Sequence, residues 1–492
     1  MATEKALSKN FDVIVVGAGI SGINTGYHLQ TRCPNLSYTI LEGREELGGT
    51  WSLFRYPGIR SDSDLHTFGF SWEPWNQPNA IAEADAIRAY LSSTAKKYHI
   101  DEKIQYKHFV NKLDWSTSKQ RWTLEVAHDG TTSTYSSKYI VMGTGYYDYK
   151  EPLEAKIPGL ENFKGQVIHP QFWPEDLDYT DKKILIVGSG ATAVTLLPNL
   201  AKKAKMVTQV QRSPGYFLIL PQKDPTDQWV KDHLPGFLSR RFIRWKYLIM
   251  GTLVYQLCRW FPARMRNVLR AGVKAELPPG TDIDPHFKPA YQPWDQRMCI
   301  TPGGDYFEAY KNGKAEIKTD HIRTVTEDGL ILGSGEQLQA DIIITATGLK
   351  MRVGGGAQLT VDGKPVELAD KFLWKGTMLQ DVPNLWYIIG YANASWTLAA
   401  DASARLFCRM MNDMEYSGKK SVVPYLTPPQ QEKMEKDNVP LLPLNSTYVT
   451  NAMSRRVIPR AGKDGNWKPR INYFVDMFKA IYGDITSGVQ YR

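Results

Sequence analysis

The chain has 492 residues, enough for two or three domains with their own cores, and its 42% hydrophobic and 23% charged residues are those of an ordinary globular protein. A net charge of +9 invites a nucleic-acid reading, but Lys and Arg are interleaved with Asp and Glu along the sequence, so no nucleic-acid partner is expected. No apolar run is long enough to span a bilayer: the densest, 242–261, is broken by Arg244, Lys246 and Arg259, which argues against a transmembrane segment and leaves peripheral membrane contact as a minor reading.

The first ten residues, MATEKALSKN, are polar and carry no apolar core, which argues against a secretory signal. Cys33, Cys258, Cys299 and Cys408 are far apart in sequence, with neither metal nor redox spacing, and read as buried thiols of a reducing cytoplasm. A strand over 11–16 then leads into GAGISG, a helix over 23–30 and a second strand over 38–41 that ends at Glu42. This βαβ unit holds Gly17, Gly19 and Gly22 at the spacing of a dinucleotide cradle. Gly17 makes the tight turn, Gly19 lets a pyrophosphate approach the backbone, and Gly22 packs helix on strand. Glu42 ends the strand where a carboxylate accepts from both ribose hydroxyls, which fits FAD.

The segment 48–64, GGTWSLFRYPGIRSDSD, is neither regular helix nor strand. Trp51, Phe54 and Tyr56 demand burial, so its charges are expected to line a pocket. A helix over 85–98, antiparallel strands over 104–115 and 121–126, and a strand over 139–142 ending in Gly143-Thr144-Gly145 close the first unit near residue 150. A joint follows, FKGQVIHPQFWP at 163–174. A second strand, 183–187, then runs into GSGATAV and a helix over 192–201. Gly188, Gly190 and Ala193 form a second cradle, and the next strand, 206–210, ends at Arg212 and Ser213. An Arg in place of the acidic residue suits the 2′-phosphate of NADP. Residues 217–290 show helical spacing without β pattern, 291–307 returns the chain to the sheet, and 341–345 is a strand ending in Ala346-Thr347-Gly348. A helix starting near Trp396 is placed to aim its positive end at a flavin. No chemistry is assigned after residue 420.

The expected fold is α/β, with two dinucleotide-binding Rossmann-like domains, one for FAD (1–150 and 351–492) and one for NADP (151–216 and 297–350). A helical insertion, 217–296, is carried on the second.

With both cradles and the joint in view, the sequence resembles the Baeyer–Villiger monooxygenases, single-component flavoenzymes that use NADPH and O2. Their joint pattern is matched by Phe163, Gly165, His169, Trp173 and Pro174, and a second pattern by Gly48, Gly49, Trp51, Tyr56, Pro57, Gly58 and Asp62. The likeness covers nearly all of 10–400 and is nearest the ethionamide-activating subgroup. It implies FAD contacts from Ser21, Glu42, Thr50, Trp51, Ser52, Leu53, Asp62 and the backbone of Val110. It implies NADP contacts from Arg60, Ser61, Ser189, Gly190, Ala191, Thr192, Ala193, Val194, Arg212 and Ser213. Arg297 matches the family's active-site arginine, with Asp62 orienting it. Gln296 stands where many relatives carry Lys, which shifts the case for NADPH onto Arg212.

The activity so implied is conversion of ketones to esters or lactones through a C4a-peroxyflavin, with sulfoxidation of thioethers as a side reaction. His169 reads as a hinge between units rather than a proton carrier. Three rivals differ in the features they need. A flavin-containing N- or S-oxygenating monooxygenase ends its similar joint differently from Trp173-Pro174. A disulfide reductase needs a close Cys pair. A non-catalytic FAD/NADP redox sensor needs neither the charged aromatic loop nor Arg297.

Overall fold

The computed structural model describes residues 9–492, so most of the polar stretch read at 1–10 lies outside the described residues. The first sheet is built on β1 (Asn10–Val16), which pairs in parallel with β2 (Tyr38–Leu41) across helix α1 (Ile20–Arg32). β3 (Ile104–Gln105) extends the parallel side. β6 (Thr131–Met142) lies on the other side of β1, with Val16 opposite Met142. Val13 and Val15 of β1 enter one core while Ile14 and Val16 enter another. A strand covered on both faces reads as a continuous apolar run rather than an alternation.

The β excursion is a meander of β4 (Phe109–Ser116), β5 (Arg121–His128) and the first half of β6. The single strand expected over 104–115 is therefore two. Lys107 takes φ +60° between them, and β3 and β4 pair with different neighbours.

The second sheet is parallel throughout, in the order β12 (Ala315–Thr319), β9 (Met206–Gln211), β8 (Lys183–Val187), β16 (Ile342–Thr345), β7 (Gln166–Ile168). Helix α5 (Ala191–Leu200) follows β8. The joint is thus partly an edge strand of this sheet. In both sheets the strand that opens the βαβ unit, β1 or β8, is central, the next two parallel strands lie to one side (β2 and β3, β9 and β12) and a later one, β6 or β16, to the other. Such a switch point leaves a crevice at the carboxyl ends of the strands, where both glycine turns sit.

Two further expectations need correction. The stretch from 217 begins with a strand, β10 (Phe217–Leu220), which pairs in parallel with β11 (Cys299–Pro302) as a separate two-stranded sheet; β12 is where the chain rejoins the main sheet. Its sequence, FLIL, has the β-prone residues for this. Helices α6 (Pro225–His233), α7 (Gly236–Trp260) and α8 (Pro262–Glu276) follow. Within 48–64, residues Thr50–Leu53 form one helical turn, α2, entered through Gly49 at φ +58°. Helix α3 (Leu65–Phe68) comes just after.

The chain returns to the first sheet at β17 (Gln358–Val361) beside β4, and β21 (Leu385–Tyr387) pairs in parallel with β6. Helix α10 (Trp396–Ser417) then lies buried against α1, with Ala399, Ala402, Phe407 and Met410 fully covered. The segment after 420 is packed in, not loose. Val422 and Trp467 join one core of the first sheet and Leu441, Leu444 and Val449 the other.

Candidate active site

The first glycine turn is fixed by backbone contacts. Gly17 has φ +101°, and a Cβ on it would lie 2.8 Å from the Gly143 carbonyl oxygen. A Cβ on Gly22 would lie 1.9 Å from the Gly17 carbonyl oxygen. No side chain fits at either position, so α1 starts close against β1 with its free N–H groups facing the crevice. Glu42 is buried; its carboxylate accepts from Ala18 N at 2.7 Å and Arg44 N at 2.9 Å. Burial raises its pKa, and these bonds offset only part of the rise.

The second turn repeats the first. Gly188 takes φ +142°, and a Cβ there would meet the Ala346 carbonyl oxygen at 2.2 Å. Each cradle is therefore closed by a strand ending in small residues, Gly143-Thr144-Gly145 for one and Ala346-Thr347-Gly348 for the other. Gly190 caps α5 at φ −84°, and a Cβ on it would meet nothing within 4 Å. Neither backbone strain nor a protein neighbour requires glycine there.

Between the cradles runs a cleft of about 470 Å³, ample for part of a nucleotide cofactor. Gly17, Gly19, Ser21, Glu42, Thr50, Trp51, Leu53, Asp62 and Val110 line it from the first unit, and Ala191 and Thr192 from the second. Ser52 is buried beneath it, accepting from Arg44 and donating to the Gly49 carbonyl at 3.1 Å.

Arg297 and Asp62 meet in this cleft, Nε to Oδ2 at 3.1 Å, with 28% and 39% of their side chains exposed. The Asp62 charge raises the pKa of Arg297, and burial opposes it. Tyr146, Tyr147 and Tyr448 surround the guanidinium and have their own pKa values raised by burial. Tyr146 donates to or accepts from Tyr147 at 2.9 Å and stacks on Trp396 at 5.0 Å. Trp396 opens α10 and donates from Nε1 to Ser21 Oγ at 2.8 Å, tying the starts of two helices to one spot.

Some predicted contacts are placed differently. Ala193 and Val194 are buried in the core of the second unit, and the Val194 N–H already bonds the Gly190 carbonyl. Arg60 lines the cleft but is paired with Asp305. Ser61 also lines the cleft but is largely buried, its hydroxyl accepting from Ser63 N at 3.0 Å. Arg212 and Ser213 are exposed beyond the end of β9, outside the cleft lining, and Ser189 Oγ donates to the Ser213 carbonyl at 2.7 Å. Arg212 has no ion-pair partner among the described residues.

In the joint, Phe163 and Trp173 are buried, Pro174 is exposed, and a Cβ on Gly165 would meet the Asp341 carbonyl oxygen at 2.4 Å. His169 Nδ1 accepts from Gln171 N at 3.2 Å, burial lowers its pKa, and Gln171 Nε2 donates to the Asp148 carbonyl at 2.7 Å.

The tyrosines were not anticipated. The run Tyr146-Tyr147 directly after Gly143-Thr144-Gly145 was a usable signal, since the preceding strand end was already placed beside a cofactor. Tyr448 offered none: it comes from the tail, where Asn445 N donates to the Asp295 carbonyl at 2.9 Å and brings the tail onto the Arg297 loop. No cluster able to hold a metal ion occurs among the described residues.

Two Rossmann-type sheets meet at one cleft, lined by the first glycine turn and by the start of α5, with a guanidinium in it, the architecture of a protein with two dinucleotide-type units. A family model described as flavin-binding monooxygenase-like matches residues 10–265. The chain is 45% identical over 480 residues to the FAD-containing monooxygenase EthA of Mycolicibacterium smegmatis, covering 97% of this chain and 96% of that protein. The chain belongs to the flavin-binding monooxygenase-like family and is an enzyme of that kind. Its fold is that of the Baeyer–Villiger enzymes. It superposes on an oxidized steroid monooxygenase bound to NADP with TM-score 0.73 at 19% identity, covering 98% of this chain and 99% of that one. Cyclohexanone monooxygenase from Rhodococcus sp. Phi1 bound to NADP+ gives TM-score 0.73 at 17% identity, with 99% of each chain covered.

Proposed function

We propose that this protein is a Baeyer–Villiger monooxygenase that holds FAD on the first cradle and NADPH on the second, converts ketones to esters or lactones, and sulfoxidises thioethers as a side activity. The observation that carries the reading is Arg297, oriented by Asp62 in the cleft between the two cradles. Overall, ketone, O2, NADPH and a proton give ester, water and NADP+. The residues present suit the two cofactors: Gly17 and Gly22 admit no side chain, Gly190 leaves open space, and Glu42 ends the ribose-facing strand.

When bound, the flavin takes electrons from NADPH and delivers one oxygen atom of O2. The chain supplies the setting. Arg297 keeps its charge at any working pH, and the Asp62 carboxylate fixes the direction of its N–H fork. It is placed to stabilise negative charge on the carbonyl oxygen of the ketone as that carbon becomes tetrahedral. Tyr146, Tyr147 and Tyr448 give the substrate an apolar wall with polar tips and limit water around the guanidinium. The joint, stitched to both units through β7 and the Gln171 bond to Asp148, links the cradles, and His169 acts there as a hinge residue.

Arg297→Ala is expected to keep its flavin and reduce it with NADPH while losing ester formation by roughly 100-fold or more, as when a charge-stabilising donor is removed. Normal ester yield from that variant would overturn the assignment. Product analysis on a ketone and a thioether separates this chemistry from N- or S-oxygenation alone. Arg212→Ala should raise KM for NADPH far more than for NADH; equal effects would take Arg212 out of the phosphate site.

A further inference from the structure

The outward face of α7 is apolar where a surface helix is normally polar. Leu238, Phe242, Trp245, Ile249, Leu253 and Trp260 recur at helical spacing along one side, each 42–65% exposed. On the other side Ile243, Leu248 and Cys258 are buried. A helix apolar on both sides belongs inside a protein or against a membrane. Helix α13 (Tyr473–Tyr482) adds Val475, Phe478 and Tyr482, which are 46%, 63% and 70% exposed. The two helices meet where Trp245 stacks on Phe474 at 5.7 Å, so the two faces form one surface. A monomeric protein seldom leaves so much apolar surface bare without a partner.

The charge on this surface selects the partner. From 236 to 275 the sequence has nine Lys and Arg and no Asp or Glu. Arg240, Arg241 and Arg264 are exposed and have no ion-pair partner among the described residues. A second copy of the chain docked here about a two-fold axis would set these unpaired arginines against each other. A nucleic acid would satisfy the cations and leave the aliphatic stripe unsatisfied. No helix of the described residues is long and apolar enough to cross a membrane.

We infer that α7 and α13 form a docking surface for an anionic lipid bilayer. The apolar stripe enters the headgroup–acyl boundary, and the arginines reach lipid phosphates by extending their stems. Trp245, Trp260 and Tyr482 are the residue types favoured at that boundary. α7 is also tied to α3, which directly follows the loop that carries Asp62, since Arg244 Nη1 donates to the His66 carbonyl at 2.6 Å and the Gly69 carbonyl at 3.0 Å. Docking therefore brings the cleft next to apolar compounds dissolved in the bilayer. The inference rests on the surface and stands apart from the reaction proposed above.

The test is co-sedimentation of the full-length, FAD-loaded protein with phosphatidylcholine vesicles, with and without phosphatidylglycerol. Binding is expected to be at least about ten-fold stronger with the anionic lipid. The triple variant Trp245→Ser/Ile249→Ser/Leu253→Ser should lose it while keeping its FAD content and its vesicle-free rate of NADPH oxidation. Arg240→Gln/Arg241→Gln, which touches no core, should weaken anionic binding on the order of ten- to thirty-fold, and it decides the matter if the triple variant loses FAD. Equal, weak sedimentation of the unmodified protein with both vesicle types overturns the inference. So does a dimer in analytical ultracentrifugation that the triple variant dissolves, with no vesicle binding by either.

Discussion

Asp62 and Arg297 form an ion pair that is more than a quarter exposed on each side, and such pairs add little to stability. On the proposed function the value of the pair is directional, the carboxylate standing beside the guanidinium Nε in the cleft. Asp62→Asn should therefore leave Tm almost unchanged and lower ketone oxygenation about 10- to 100-fold, as the loss of an orienting partner does elsewhere. Steady-state kinetics beside a thermal melt check it, and a large fall in Tm with unchanged kcat would refute it. The pair could be anticipated from sequence because each residue sits in a motif, although 235 residues separate them. Tyr448 could not, because nothing local marks a tail tyrosine that only tertiary folding brings to Arg297. Another single residue sets a pH limit. His66 is buried facing Asp227 at 3.7 Å, and burial lowers its pKa to about 4, more than the carboxylate restores. The unfolded chain takes up that proton near pH 6.5, while the folded one refuses it until about pH 4. Stability is thus full above about pH 6.5 and falls as pH drops through that window, by an amount on the order of 3 kcal/mol. His66→Gln should flatten the fall of Tm between those pH values in calorimetry; an unchanged slope would exclude His66 as its source.

Among the elements, β7 is the one whose sequence carried the most information. Phe163-Lys164-Gly165 places glycine where strand and Asp341 carbonyl approach so closely that a Cβ has 2.4 Å of room. Gly165→Ala must push β7 off β16 or distort the turn, a strain of roughly 1–3 kcal/mol. The expected result is a Tm lower by several degrees with FAD content retained, read by calorimetry and flavin absorbance. An unaltered melt would show that the strand has slack. The strands of both Rossmann units were legible because apolar β runs ending in glycine have few alternatives. β10 was not, since four β-prone residues at the edge of a long helical pattern are outweighed by their surroundings, and their partner β11 lies some eighty residues on. Helix α7 was legible as a helix. Its outward apolar face was not, because spacing alone does not tell which side of a helix the fold covers.

Across the whole molecule, the two units are interlocked. Phe54 and Tyr56, from the loop that leaves the first cradle, are buried in the core of the second beside Ile184, Ile186, Leu196 and Trp173. A chain whose domains share a core is expected to melt in one calorimetric transition. Two resolved transitions, with the first unit outlasting the second, would contradict that sharing. The tail closes the same structure from the far side. Asn445 binds the Asp295 carbonyl, Tyr448 faces Arg297, and Val489–Tyr491 pairs with Val422–Pro424. During synthesis these residues leave the ribosome long after the glycine turns of both cradles have been made. Tyr146 and Tyr147 are made before Arg297, but Tyr448 only well after it, so the aromatic wall around the guanidinium stays open until translation is nearly finished. The order of manufacture delays completion of the site around Arg297 until almost the entire polypeptide exists.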